Sequence, residues 1–181
     1  MLRRSSKMIT TLLFMSGFLG VLDAGAVAPA LTAIIQEWSI PYKWGIWTIT
    51  VYVLMFVVST PVMKHLSRRL GRQLTLSISL ALFGAGATLS GFSPHFSVLI
   101  VGRFIQGIGG GGLMTSVSVI FDRRGMVRQP GVVGILFAVG AILAFLLGSL
   151  FVTVFHWRWM FYLQLLIAFL GSILIFHKPV Q

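Results

Sequence analysis

Six apolar runs, separated by short polar breaks, take up most of this chain: Ile9–Ile35, Trp44–Met63, Leu74–Phe92, Phe96–Phe121, Gly131–Phe155 and Trp159–Phe176. One helical crossing of a bilayer needs ~20 consecutive apolar residues, and every run is long enough to make it. Six crossings with short connections consume nearly all 181 residues, which leaves no room for a soluble catalytic domain. Composition points the same way, because 57% of the residues are hydrophobic and only 9% are charged. A soluble domain of this size needs more charge to cover its surface. The expectation is an all-α integral membrane protein, residues 1–181 forming a single six-helix transmembrane domain.

A formal charge of +11 would suggest nucleic acid if the basic residues lined a soluble surface. Here they cluster between the apolar runs instead, so no nucleic-acid partner is expected. Arg3, Arg4 and Lys7 precede the first run. Lys64, Arg68, Arg69 and Arg72 lie between the second and third, Arg123, Arg124 and Arg128 between the fourth and fifth, and Lys178 follows the sixth. That puts eleven basic residues on one side, against only Lys43 and Arg158 on the other. The positive-inside rule makes the basic side cytoplasmic, and an even number of crossings puts both termini there. Trp38, Trp44, Trp47, Trp157 and Trp159 all fall at the opposite ends of the runs, where an interfacial aromatic belt lies. A multi-pass protein of the cell membrane is expected, with lipid as its surroundings. The basic start followed by an apolar run and Ala24-Gly25-Ala26 imitates a cleavable signal peptide. The run continues to Ile35, which favours an uncut span.

Two charges interrupt the apolar runs. Asp23 is one of three acidic residues in the chain and sits inside the first run, and Arg103 sits inside the fourth. An ionisable group in hydrocarbon costs at least ~2.5–3.5 kcal/mol, so it normally faces a bundle interior or a wet cavity. At ~1.5 Å per residue, Asp23 lies ~21 Å from the inner end of its helix. Arg103 lies ~20 Å from the inner face of a ~30 Å core, so the depths agree. The two can be a static ion pair that locks helices together. Alternatively, Asp23 gains and loses a proton while Arg103 alternates between partners. Nothing else suggests chemistry. No nucleophile, base and orienting group occur together, and His65, His95, His156 and His177 sit at helix ends without ligand-like spacing. No enzyme, metal or cofactor is expected, and the absence of cysteine removes thiolate sites. Phe14, Trp47, Tyr52 and Met55 are able to line a greasy drug cavity, but aromatic residues on transmembrane helices more often pack against lipid or neighbours, and no site is assigned to them.

Around Arg103 the chain reads Gly102-Arg103-Phe104-Ile105-Gln106-Gly107-Ile108-Gly109. This resembles the Arg-x-x-Gln-Gly-x-Gly motif in the fourth helix of the major facilitator superfamily. Leu22-Asp23 followed by Pro29-Ala30-Leu31 and Ile34 looks like the first-helix motif of its drug:proton antiporters, with Thr32 where that motif has proline. Leu66, Arg69, Gly71 and Arg72 are similar to the family's loop between helices 2 and 3. Lys64 replaces its glycine there, and Arg68 replaces an aspartate that helps latch the two halves, leaving Asp122 to pair with Arg72. Trp157-Arg158-Trp159 resembles the family's Trp-Arg-Trp. The fifth-helix antiporter motif falls on Ala144, Phe145, Gly148 and Ser149 without its proline. Gly140, Ala144 and Gly148 still make a small-residue stripe, and with Gly107 and Gly109 they are expected to serve close helix packing.

The resemblance implies the N-terminal half of a transporter in which two six-helix halves hold substrate between them near midplane. It assigns substrate binding and proton coupling to Asp23, Arg103 and Gln106. The implied function is proton-coupled export of small hydrophobic or cationic solutes. A second copy inserted in the same orientation would supply the other half as a homodimer. A different half-transporter subunit as partner, an inactive truncated remnant and a non-transport membrane protein remain as alternatives.

Overall fold

The computed structural model describes Asp23, residues 26–123 and residues 130–177, with side chains at Asp23, 26–116, 135, 138–173 and 175. The first helix, α1, covers residues 26–38, and Asp23 is itself helical. A short turn of helix, α2 (Tyr42–Gly45), leads into α3 (Trp47–Leu70). Then follow α4 (Arg72–Gly91), α5 (Phe96–Arg123), α6 (Pro130–Val154) and α7 (Arg158–His177). Among the described residues, Tyr42–Leu70, Arg72–Gly91 and Phe96–Ser116 are each long and apolar enough to cross a membrane. Ala138–Val154 and Arg158–Ile173 are shorter apolar helices. Stretches rich in Val and Ile become helical here because an α-helix satisfies its own N–H and C=O groups where water cannot.

Connections are tight at both ends of the bundle. Lys64, Arg68 and Arg69, read from sequence as loop residues, belong to α3, which continues past its apolar run to Leu70. Helix ends when the chain must turn, whereas hydrophobicity ends where lipid does. Gly71 alone joins α3 to α4, with φ 83° and ψ 161°. That region of backbone space is essentially reserved for glycine. This gives Gly71 a local reason for being where it is. The Asp122 side chain, expected near Arg72, lies outside the described residues.

Polarity is arranged as in a protein whose solvent is lipid. Val53, Leu54, Val57 and Val58 of α3 and Ile142, Leu143, Phe145, Leu146 and Leu147 of α6 are exposed. Asp23, Thr48, Ser79, Ser90, Arg103, Gln106 and Gln164 are buried. Apolar side chains outside and polar groups inside reverse the soluble pattern.

Helix α5 sits between α3 and α4. Its glycines allow this: a Cβ on Gly107 would come within 2.6 Å of the Tyr52 carbonyl oxygen on α3, and one on Gly109 within 2.5 Å of the Phe83 nitrogen on α4. Hydrogen bonds cross the same seam, with Ser59 Oγ donating to the Ile108 carbonyl at 3.2 Å and Thr115 Oγ1 to that of Thr60 at 3.1 Å. Helix α7 covers α4 from the other side. On α6, Gly140, Ala144 and Gly148 are buried while residues 141–143 and 145–147 are exposed. The small-residue stripe is therefore the face turned to the bundle, and a Cβ on Gly148 would fall 2.6 Å from the Ala26 Cα of α1.

The core has two parts. One gathers Tyr52, Leu76, Leu80, Phe83, Leu113, Ala168 and Ile175 from α3, α4, α5 and α7. The other gathers Ala26, Val27, Ala30, Ile34, Leu99, Trp157, Met160 and Phe161, and reaches the end of the bundle where the tryptophans lie.

Candidate functional site

Asp23 and Arg103, eighty residues apart in sequence, meet in the interior with both side chains fully buried. Arg103 Nη1 donates to Asp23 Oδ1 at 2.6 Å and Oδ2 at 2.7 Å, and also reaches Gln106 Oε1 at 2.9 Å. Arg103 and Gln106 are three residues apart on α5, so both point to the same side of the helix. Gln106 Nε2 in turn donates to Asp23 Oδ1 at 3.2 Å and to Gln164 Oε1 on α7 at 2.6 Å. On α3, Thr48 offers its backbone carbonyl to Arg103 Nε at 3.1 Å. The Tyr52 hydroxyl, one helical turn further along, donates to the Asp23 carboxylate. Its ring lies under the guanidinium, 4.2 Å from Arg103 Cζ, with the Phe161 ring at 5.7 Å on another side.

Electrostatics explains this convergence. A lone charge here would carry a heavy desolvation cost, and the pair offsets it only if each polar atom is matched. Asp23 accepts from Arg103, Gln106 and Tyr52, while Arg103 is also held over two aromatic faces. At this centre Arg103 Nη2 and Thr48 Oγ1 have no hydrogen-bond partner. The centre therefore has a spare donor next to a charge whose counter-ion is a carboxylate. Proton uptake by that carboxylate would remove half of the ion pair and leave the arginine to find another acceptor. Among the described residues no group of three metal-ligating side chains occurs.

Asp23, Arg103 and Gln106 of the sequence-based set thus converge, whereas Gly71 stands well apart at the α3–α4 turn. Three participants were missed. Tyr52 was assigned no site, and Thr48 and Gln164 were not singled out. Thr48 and Tyr52 share one face of α3 at i, i+4, and Gln164 is a polar residue in the apolar run of α7, so a signal existed for each. Which polar residues of a span turn inward, though, depends on neighbours that spacing does not name.

A family model described as the Major Facilitator Superfamily matches residues 13–181. The chain belongs to this superfamily. Among its relatives is an uncharacterized MFS-type transporter, YfiU of Bacillus subtilis, 32% identical over 173 residues that make up 93% of this chain and 33% of that one. The efflux pump FUS6 of Gibberella fujikuroi is 29% identical over 155 residues, 83% of this chain and 28% of the pump. The MFS-type efflux pump LUC4 of a Fusarium species is 29% identical over 167 residues, 89% and 29% of the two chains. The chain spans about a third of the length of these relatives. It is therefore a multi-pass membrane protein of a transporter superfamily, built as half of the superfamily's fold. Two of these relatives are named as efflux pumps.

Proposed function

We propose that these helices form one wall of a proton-coupled exporter for small hydrophobic or cationic solutes, of the drug:proton antiporter type. The other wall is a second set of six helices, supplied by a second copy of these residues or by another half-transporter. Asp23 is the proton carrier, Arg103 its alternating counter-charge and Gln106 the amide that touches both. The observation that carries this reading is the buried 2.6 Å ion pair between α1 and α5, which also ties in α3 and α7. A pair this deep is expensive to keep for packing alone. With Asp23 ionised, Arg103 is held; with Asp23 protonated, the arginine is free to take an acceptor on the facing half. Rocking of one half against the other then exposes a cavity alternately to the two sides.

The cytoplasmic placement of the basic ends and the position in the cell membrane belong to the same proposal, as does an assignment of residues 1–181 to one six-helix domain. The family background and the efflux pumps among the relatives support export over a regulatory role. The test is transport by purified protein in liposomes carrying an imposed pH gradient. Wild-type protein is expected to accumulate a lipophilic cationic dye against its gradient, and Asp23→Asn to abolish the response to pH. Gradient-driven accumulation that persists in Asp23→Asn overturns the proton role. Absence of any transport by wild-type protein, with one stable partner co-purifying, favours a non-transport function.

A further inference from the structure

The Trp157-Arg158 step takes no part in the buried centre, yet Trp157 Nε1 and Arg158 Nη2 are both engaged with another charged residue, while Arg158 Nε has no hydrogen-bond partner. Glu37 lies in the last turn of α1. Its Oε2 accepts from Trp157 Nε1 at 2.5 Å, and its Oε1 accepts from Arg158 Nη2 at 2.7 Å. The same Arg158 nitrogen donates to the Ser93 carbonyl in the α4–α5 turn at 3.0 Å. His156 Nε2 stands 3.5 Å from Glu37 Oε2. Three segments are joined here: the end of α1, the α4–α5 turn and the start of α7.

A part-exposed salt bridge by itself usually contributes little. This one is reinforced by packing. Trp157 is 2% exposed despite its size, and its ring meets Trp38 at 5.5 Å and Phe161 at 6.0 Å, both edge-on. The Arg158 guanidinium lies 5.1 Å from the Trp157 ring and 5.9 Å from that of Trp38, so it spans two consecutive residues of α1. Each carboxylate oxygen thus has its own donor, and the donors stand on a buried aromatic platform.

Position gives this cluster its meaning. Glu37 is fourteen residues beyond Asp23, a separation of ~21 Å at the helical rise per residue. Helix α1 is therefore tied by charge at two separated points, to α5 within the interior and to α7 at the tryptophan-rich end. Between them it makes apolar contacts and the close approach of Ala26 to Gly148, which lack the directionality of a hydrogen-bonded ion pair. We propose that Glu37, Trp157 and Arg158 form a clasp that keeps α1 in register with the rest of the bundle when the Asp23–Arg103 pair is broken. The three are positioning residues for Asp23. The clasp lets the central pair open without losing the helix that carries the carboxylate. The inference concerns how α1 is anchored and stands whether or not solute is moved.

Because the chain contains no cysteine, one reporter thiol can be placed at will. Ala30, fully buried on α1 between the two anchor points, is close to cysteine in size. The experiment measures the rate at which N-ethylmaleimide labels Ala30→Cys in the full chain in lipid nanodiscs. Backgrounds are the parent, Glu37→Gln, Trp157→Phe, Asp23→Asn, and each of the first two combined with Asp23→Asn. Trp157→Phe keeps an aromatic ring but removes the donor together with part of the buried indole's packing, whereas Glu37→Gln removes the charge at nearly constant size. Each single change is expected to alter the rate by no more than about twofold, and each combination to raise it about tenfold or more, as for two coupled anchors. Equal effects of Glu37→Gln and Trp157→Phe with Asp23 intact or replaced would overturn the clasp, as would no effect in either background. If Glu37→Gln with Asp23→Asn fails to insert, Trp157→Phe with Asp23→Asn decides by the same criterion. Transport is not read, so failure here and failure of the transport proposal stay distinct.

Discussion

At the scale of single residues, the energetics rest on Asp23, Arg103 and the amides around them. Removing one member of a buried ion pair strands the other in hydrocarbon. Arg103→Met is therefore expected to destabilise the protein by about 3–5 kcal/mol in detergent unfolding experiments. Replacing both charges, as Asp23→Asn with Arg103→Gln, should recover much of that loss, because neither residual group then carries a charge. Gln164→Leu is a gentler test. It removes one acceptor from Gln106 Nε2, which keeps Asp23 Oδ1, and a polar contact between membrane helices is worth ~0.6–1.7 kcal/mol. A loss within that range is the expected result, and no loss would show that the Gln106–Gln164 bond has no energetic weight. The two charges of the centre were legible in the sequence because charges in apolar runs are rare. Tyr52 was not, since an aromatic residue in a span fits lipid contact, core packing or a site equally well. Only the arrival of Arg103 4.2 Å above its ring selects among them.

At the scale of helices, glycine placement decides which neighbours can touch. Gly109→Ala would put a Cβ 2.5 Å from the Phe83 nitrogen, a backbone atom that cannot yield, whereas Gly84→Ala would meet its nearest neighbour, the Ala168 Cβ, at an ordinary 3.6 Å. The first is expected to force α4 and α5 apart at a cost of about 1–3 kcal/mol, and the second to be close to neutral. Thermal unfolding in detergent separates the two outcomes. Gly71→Ala has a different cause. Nothing lies within 4 Å of its Cβ position, yet φ 83° is closed to most L-residues, so a cost of about 1–3 kcal/mol is expected from backbone strain alone. The stripe of Gly140, Ala144 and Gly148 was visible as spacing. That it is the buried face of α6 was not, because small residues carry no mark of what they pack against.

At the scale of the whole molecule, the proposed six helices are one wall of the proposed exporter, which needs a second. Purified protein in detergent is expected to behave as a particle containing two copies of the 19.9 kDa chain, which light scattering with correction for bound detergent measures. Single cysteines on the face that lines the shared cavity should cross-link between copies. A strictly monomeric particle would turn the proposal towards a different partner half. The basic ends of the helices are expected in the cytoplasm. Cysteine labelling from outside intact cells checks this, with His95→Cys reactive and His65→Cys protected.

The sequence determined by itself that this chain is a bundle of membrane-crossing helices with two charges inside. Length and hydrophobicity of a run are local quantities, and lipid translates them directly into helices. Through its motifs it also indicated the superfamily. Only tertiary structure decided that Asp23, Tyr52, Arg103, Gln106 and Gln164 share one buried centre, and that Glu37 meets Trp157 and Arg158 from the far end of the chain. Those are contacts between helices distant in sequence. They are fixed by how the helices rotate and pack against one another, a collective outcome that no single span records.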